Sequence, residues 1–541
     1  MSLRSNCWSA CCGLAIAGAA LFLWDPPLGR RGEIIYVAPD GCDWNSGATP
    51  ATAIRTLQRA ADVARPGDRV IIRPGTYFER VHVRRGGLPG QPVTFEAAEP
   101  GSVHITGALA GSVPADWNWS DDGDGIFSTH TRQPVYALAC DDEALFRVPW
   151  GGVKALREFA GRPRAWGAFW YEKGRLHVSL REQRHPGRSR LKTHAPVPEP
   201  REWGEFKSAN VWVESDHVAF SGLQFEMGIG AGLLVWNATD VAIRECAFHG
   251  AAFGVKCGTG AKPSKNVLIE NCLYENYPQY FWHRDWLSWD ECYAGYASSS
   301  LVTAVDDGTR VVSNLVVHAG DGLRITTRDS AVHDGVEAVG NWLAFCTDDA
   351  IELDGHASHV SVLRNVVIEC HEAFSASPVL SGPVTIAENL ILNPSGGING
   401  AQLKMLRIEA GAGPPSQAPT ANLDVHHNLA FGNWLCWYDR GPFENVRVHD
   451  NVFCVSRQND PPWPDAVADS DNVVDTVDQS AHSLVEMMAR LRSAAERDPP
   501  HASLYKRNRQ LLQIRAGPSW LDWNSLPATR SLEELVRPRG E

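Results

Sequence analysis

Residues 335–392 hold three stretches that repeat one another: GVEAVGNWLAF (335–345), HVSVLRNVVI (359–368) and PVTIAENLIL (383–392). Each alternates apolar and polar residues and then sets an Asn (Asn341, Asn365 or Asn389) before a second apolar run. Alternation is the period of a β-strand. The pattern continues outward in DVAIRECAF (240–248), NVLIENCLY (266–274), TRVVSNLVV (309–317), NLDVHHNLAF (422–431) and NVRVHDNVF (445–453). The fixed position is then Cys246, Cys272, Asn314, Asn341, Asn365, Asn389, Asn428 and Asn451, with gaps of 26, 42, 27, 24, 24, 39 and 23. A unit of about 24 residues, lengthened twice by insertions, is one turn of a parallel β-helix; the Leu signature of leucine-rich repeats is absent. Asn suits the bend, since it tolerates the left-handed region and stacked amides can bond from coil to coil.

The flanks extend this reading. Residues 1–30 carry an apolar run, Cys7 to Trp24, after Arg4. It predicts a signal peptide or N-terminal anchor, and an exported protein that is secreted, periplasmic or anchored. Residues 31–110 predict an N-terminal cap and first coils, with Ile54, Leu57, Ala61 and Ala64 on one face of a short helix. Residues 111–208 break the repeat and predict an inserted β-rich module, in which GAFWYEKGRLHVSL (167–180) reads as a hairpin turning at Lys173-Gly174. Residues 209–456 are the repeats. Residues 457–541 are a C-terminal helical tail, with Leu484, Met487, Met488 and Leu491 on one face, expected to cover the open end of the solenoid.

Composition narrows the function. The chain has 541 residues, with 50 Lys and Arg against 63 Asp and Glu, a net charge of −13. That balance argues against nucleic acid as the partner. Hydrophobic content of 44% and charged content of 21% fit a folded chain. No other segment is long and apolar enough to span a membrane, so contact with one is expected only through the N-terminal anchor. A monomer is expected. None of the 13 cysteines forms a CxxC pair, which argues against a zinc ribbon. Cys246/Cys272 and Cys346/Cys370 align between coils and read as buried, reduced ladders.

Aligning the coils places residues side by side. After the Asn position they read VHAGDGLRI (317–325), FCTDDAIELDG (345–355) and ECHEAFSAS (369–377). Asp321, Asp349 and Glu372 fall in one column; Arg324, Glu352 and Ser375 fall in another. At a coil spacing of about 4.8 Å, Asp321, Asp348, Asp349 and Glu352 crowd one strip of surface. Such carboxylates raise one another's pKa or recruit a cation, and an all-oxygen set favours Ca²⁺. An ion that only staples coils, or a solvated acidic bend, reads equally from these residues. Lys404 and Arg407 can reach the strip if Met405 and Ile408 point inward. Lys256 occupies the column of Arg324, and His318 and His371 flank the carboxylates. The insertion at 276–298 carries Trp282, Trp286 and Trp289, flat rings suited to stacking on sugars or to burial within the loop itself.

The opening YVAPDGCDWNSGATPATAIRTLQRAADVARPGDRVIIRPGTY (36–77), with the repeats, resembles the right-handed parallel β-helix proteins of the pectate lyase-like superfamily. The resemblance implies an all-β, right-handed β-helix. Its functional side is similar to the calcium-dependent pectate lyases of family nine. Asp321-Gly322 matches their first calcium step, and Asp348-Asp349-Ala350-Ile351-Glu352 their second, with Ala in place of Gly and Glu in place of the last Asp. By that resemblance Asp321, Asp348, Asp349 and Glu352 would hold calcium and Lys404 would be the base of a β-elimination on an acidic polysaccharide. The order Asp321, Asp348-Asp349, His371, Lys404/Arg407 also resembles inverting polygalacturonases, which implies hydrolysis. A non-catalytic polysaccharide-binding envelope protein remains a third reading.

Overall fold

Strands three to four residues long, alternating inward and outward, stack with their equivalents one coil on. In the computed structural model they form a right-handed parallel β-helix. The structure describes residues 32–110, 117–141, 143–148, 151–160, 167–195, 208–258, 263–275, 299–326, 333–393, 404–408, 419–437, 442–457, 465–477 and 484–522. One wall is a 13-stranded parallel sheet running from Ile34–Val37 to Val467–Ser470. Its inward residues stack in register as Ile269, Val311, Ala338, Val362, Ile386, Val425 and Val448, all buried. The other two walls merge into a 19-stranded sheet, because Leu223–Val235 and Ala247–Cys257 each run through both.

The bend after the first wall is held by a ladder of buried amides. Asn341 Oδ1 accepts from the Asn314 backbone N–H at 2.9 Å and from its Nδ2 at 2.9 Å. The same pair of bonds links Asn341 to Asn365, Asn365 to Asn389, Asn389 to Asn428 and Asn428 to Asn451. The ladder runs one coil past the predicted boundary, since Asn451 bonds Asn472 and the strands Val467–Ser470 and Val473–Thr476 complete another turn. The repeats therefore do not stop at 456. The left-handed residue is not the Asn but the one before it: Glu245, Asn271, Ser313, Gly340, Arg364, Glu388, His427, Asp450 and Asp471 all have positive φ. The turn is taken one position earlier so that the amide can point along the stack.

At the N-terminal end the helix Leu57–Val63 lays Leu57, Ala60, Ala61 and Val63 on the first coils. Thr56 caps it by accepting the Arg59 N–H at 3.1 Å. Residues 117–195 form separate small sheets, one of five strands and one of three, with the helix Gly152–Ala160 packed on the first. The hairpin turns at Lys173 (φ 47°) and Gly174 (φ 81°), the two left-handed residues that a tight turn between twisted strands requires.

The C-terminal segment departs from expectation. The helix Leu484–Ala495 does not sit across the open end; Met487, Leu491, Ala494 and Ala495 pack along the flank. With Leu504, Tyr505, Leu511 and Ala516 further along the tail, they form one buried cluster with the outward residues Leu315, Val317, Trp342, Val366, Ile368, Leu390, Leu392, Leu429 and Phe431. These triplets are apolar on both faces and cannot meet water on either. The chain then runs back along the flank: Asn508 Nδ2 donates to His427 O at 3.1 Å, Gly517 N to Ser313 O at 2.8 Å and Trp520 Nε1 to Glu245 O at 2.8 Å.

Cys42, Cys140, Cys246, Cys257, Cys272, Cys346, Cys370 and Cys454 are free thiols, and Cys246, Cys272, Cys346 and Cys370 are buried. The N-terminal segment 1–30 lies outside the described residues. Among the described residues no helix is long and apolar enough to cross a membrane.

Candidate active site

The third wall carries the candidate residues. In register across it, Leu323 faces Ile351 and Ile351 faces Phe374, all pointing into the core. Between them Arg324, Glu352, Ser375 and Arg407 form one outward column. Lys256 pairs with Thr303, and the Val302–Leu323 pairing sets Thr303 beside Arg324, so Lys256 continues that column. Two residues before the core positions, Asp321, Asp349, Glu372 and Lys404 follow one another on successive coils.

These carboxylates do not lie on an open surface strip. Asp321, Asp349 and Glu372 are only 5%, 5% and 2% exposed. Asp321, Asp348 and Asp349 each bring a carboxylate oxygen to within 4.8 Å of the other two. Burial, then Glu352 and Asp348, hold Asp321 well above the usual carboxylate range. Burial, then Glu372 and Asp348, do the same to Asp349. Asp349 Oδ1 is buried without a hydrogen-bond partner. An oxygen in that state costs about 1–3 kcal/mol, more when charged, unless a proton or cation meets it.

Glu352, beside this trio, is paired with Arg324. Arg324 Nε donates to Glu352 Oε2 at 2.6 Å and lies 3.7 Å from Asp321 Oδ2. Burial alone would lower the Arg324 guanidinium, but the two carboxylates reverse this and raise it. Arg407 Nη1 lies 3.7 Å from Glu372 Oε2, and His371 Nε2 lies 3.9 Å from Glu372 Oε1. Lys256 Nζ sits 5.5 Å over the Phe253 ring. His318 stacks on Phe345 at 5.5 Å.

Local sequence explains the close approach. Gly322 N donates to Asp349 O at 2.8 Å, and Asp348 N to Gly320 O at 2.9 Å. A Cβ on Gly322 would come within 2.5 Å of both Ala350 O and Leu343 Cδ2. The glycine after Asp321 is needed for space, and it brings the two aspartate strands together.

Of the residues expected from sequence, the structure brings together Asp321, Asp348 and Asp349, and beside them the pair Arg324–Glu352. Arg407 and His371 gather around Glu372. Lys404 has its backbone opposite Glu372; its side chain lies outside the described residues. Trp282, Trp286 and Trp289 lie outside the described residues too. Two groups went unnoticed in the sequence. Asp354 accepts from Ser375 Oγ at 2.9 Å and from Ser377 N at 2.6 Å, tying the ends of two site strands. Glu275, 1% exposed, stands 3.8 Å from His249 Nδ1 and 3.9 Å from His318 Nδ1. Its one signal was its place immediately before the aromatic insertion. A second acidic group, Asp306, Asp307 and His333, is a separate cluster. There Asp307 is engaged by Lys265 Nζ at 2.6 Å and by Asp334 N at 3.0 Å.

No family model matches the chain. One curated relative, the uncharacterized protein YwoF of Bacillus subtilis (strain 168), is 42% identical over 76 residues; the match spans 14% of this chain and 16% of the relative. Among solved structures, the complex of XylC with xylose is similar over 82% of each chain, at 11% identity and a TM-score of 0.47. A mannuronic acid specific polysaccharide family 6 lyase from human gut microbiota is similar over 93% of this chain and 98% of its own, at 11% identity and a TM-score of 0.40. Pectate lyase Pel9A is similar over 76% of this chain and 78% of its own, at 12% identity and a TM-score of 0.36.

Proposed function

We propose that this chain is an exported polysaccharide-degrading enzyme that cleaves an acidic, uronate-containing polymer by β-elimination. The observation that carries this reading is the Asp321–Asp348–Asp349 trio, with Asp321 and Asp349 buried, Asp348 half-buried, repelling carboxylates and the unpartnered Asp349 Oδ1. An all-oxygen donor set fits calcium better than a thiophilic metal. When bound there, the cation would supply Lewis acidity that neutralises a substrate carboxylate and acidifies the neighbouring C5–H.

The chain's own residues do the rest in this account. Arg324 and Arg407, each beside a carboxylate, and Lys256 beyond them form a cationic row that orients uronate groups. Glu352 fixes the Arg324 guanidinium. Lys404, on the coil after Glu372, accepts the C5 proton. The electron pair released at C5 becomes the C4–C5 double bond as the C4–O bond breaks.

Hydrolysis is the second reading, favoured by the same upward shift: a carboxyl that holds its proton to higher pH is better suited to donate it to a leaving group. It needs a second carboxylate about 6.5–9.5 Å away to activate water. The trio is tighter than that, with oxygens within 4.8 Å, which favours the cation. The test is a panel of acidic and neutral polysaccharides, with and without Ca²⁺, read for ultraviolet absorbance and reducing ends together. Absorbance that needs Ca²⁺ supports elimination. Reducing ends without absorbance mean hydrolysis, and neither signal means a binding protein.

A further inference from the structure

The outward column that carries Arg324 and Lys256 does not end there. Lys256 pairs with Leu234, Leu234 with Trp212, and Trp212 with His82. Trp212 is 39% exposed, while its neighbours Val211 and Val213 are buried in the core. An indole is a large apolar surface to leave in water, and this one is not loose. One of its faces lies on the His82 imidazole, with centroids 4.7 Å apart and planes 11° from parallel. His82 is in turn held by Glu214 Oε2, 3.0 Å from its Nε2, and its backbone N–H donates to Gln58 Oε1 at 2.8 Å.

We infer that Trp212 and His82 form a distal aromatic subsite for the same acidic polysaccharide, which lies lengthwise along the helix axis. The inference rests on the reading that the cationic row takes such a polymer. Trp212 lies four coils from Arg324 and seven from Arg407, about 19 Å and about 34 Å at the strand spacing. A uronate chain presents charge and apolar ring faces together. The column presents Arg407, Arg324 and Lys256 and then an indole whose plane is already fixed. Pre-fixing the ring removes most of the ordering cost of binding. A site of that length favours internal positions of long chains over short ends.

The test compares tetramers and decamers of polygalacturonate as ligands for the full chain, by titration calorimetry with Ca²⁺ present, every protein including the wild-type reference carrying Lys404→Ala so that the ligand stays intact. The wild type should bind the decamer about tenfold more tightly than the tetramer, and Trp212→Ala should bring that ratio close to one. Trp212→Phe should keep part of the preference. Thermal unfolding checks that the variants remain folded. A decamer-to-tetramer ratio near one in the wild type, or a ratio that survives Trp212→Ala, overturns the subsite while leaving the acidic-polymer reading standing. Wild type that binds neither oligomer overturns both. Self-association that Trp212→Ala abolishes would make a second copy of the chain the occupant instead, and also overturns the subsite.

Discussion

Replacing Asp349 by Asn should stabilise the cation-free protein at pH 8, an unusual direction for a change at a buried polar position. In the unfolded chain Asp349 ionises near 3.8; in the folded chain burial, Glu372 and Asp348 hold it higher. Between those two values the folded state binds the extra proton. The stability that this proton contributes is present at low pH and is lost as pH rises through the folded value. Raising the pH to 8 favours the ionised form, which faces its neighbours with Oδ1 unpartnered. An amide removes the charge at nearly constant volume, so the gain should be about 1–3 kcal/mol. At pH 5 the gain should be smaller than at pH 8, because the lower pH favours the protonated wild-type carboxyl. Urea unfolding followed by tryptophan fluorescence at both pH values in EDTA measures the difference. Ca²⁺ should then reverse the order: at a hundredfold excess over Kd it adds about 2.7 kcal/mol to the wild type and much less to the variant. A variant less stable than wild type at pH 8 in EDTA, or equal stabilisation of both by Ca²⁺, would refute the reasoning.

Three further outcomes follow from the packing. Asn341→Leu leaves the Asn314 N–H without its acceptor and removes one bond each from Asn314 Nδ2, Val311 O and Asn365 Oδ1 in the interior; the cost should be at least about 3 kcal/mol, and an unchanged urea midpoint would contradict the ladder's role. Gly322→Ala should cost about 1–3 kcal/mol through overpacking and weaken Ca²⁺ binding in calorimetry, because the new methyl pushes the Asp321 strand off the Asp349 strand. Leu491→Asp puts a charge into the covered flank; it should destabilise by more than about 3 kcal/mol and raise binding of a hydrophobic dye, whereas a wild-type response would mean that the tail is dispensable.

Much of this architecture was legible in the sequence because a solenoid turns spacing into neighbourhood. Once Asn314, Asn341 and Asn365 were aligned, Asp321 beside Asp349 and Arg324 beside Glu352 followed from counting residues. Burial of the acids was harder to see. Alternation does not report it: Asp321 lies on the side of the outward Arg324, 3.7 Å from its Nε, and is still only 5% exposed. The left-handed residue before each Asn was obscured because side chains as different as Glu388, Arg364 and His427 adopt it. The tail's place on the flank had a signal that went unread. Leu315-Val316-Val317 and Leu390-Ile391-Leu392 do not alternate, and a strand apolar on both faces needs a cover on its outer one. The final coil was missed because its Asn472 follows Asn451 after only 21 residues, short of the repeat.

The central claim is that Asp321, Asp348 and Asp349 hold a cation that a substrate uronate shares. The most direct measurement is the ultraviolet absorbance of the unsaturated product from an acidic polysaccharide, in EDTA and after Ca²⁺ is restored, for wild type, Asp349→Asn and Lys404→Ala. The account predicts absorbance from wild type only when Ca²⁺ is present, and none from either variant although both stay folded. Absorbance that persists in EDTA, or full activity in Lys404→Ala, would contradict it.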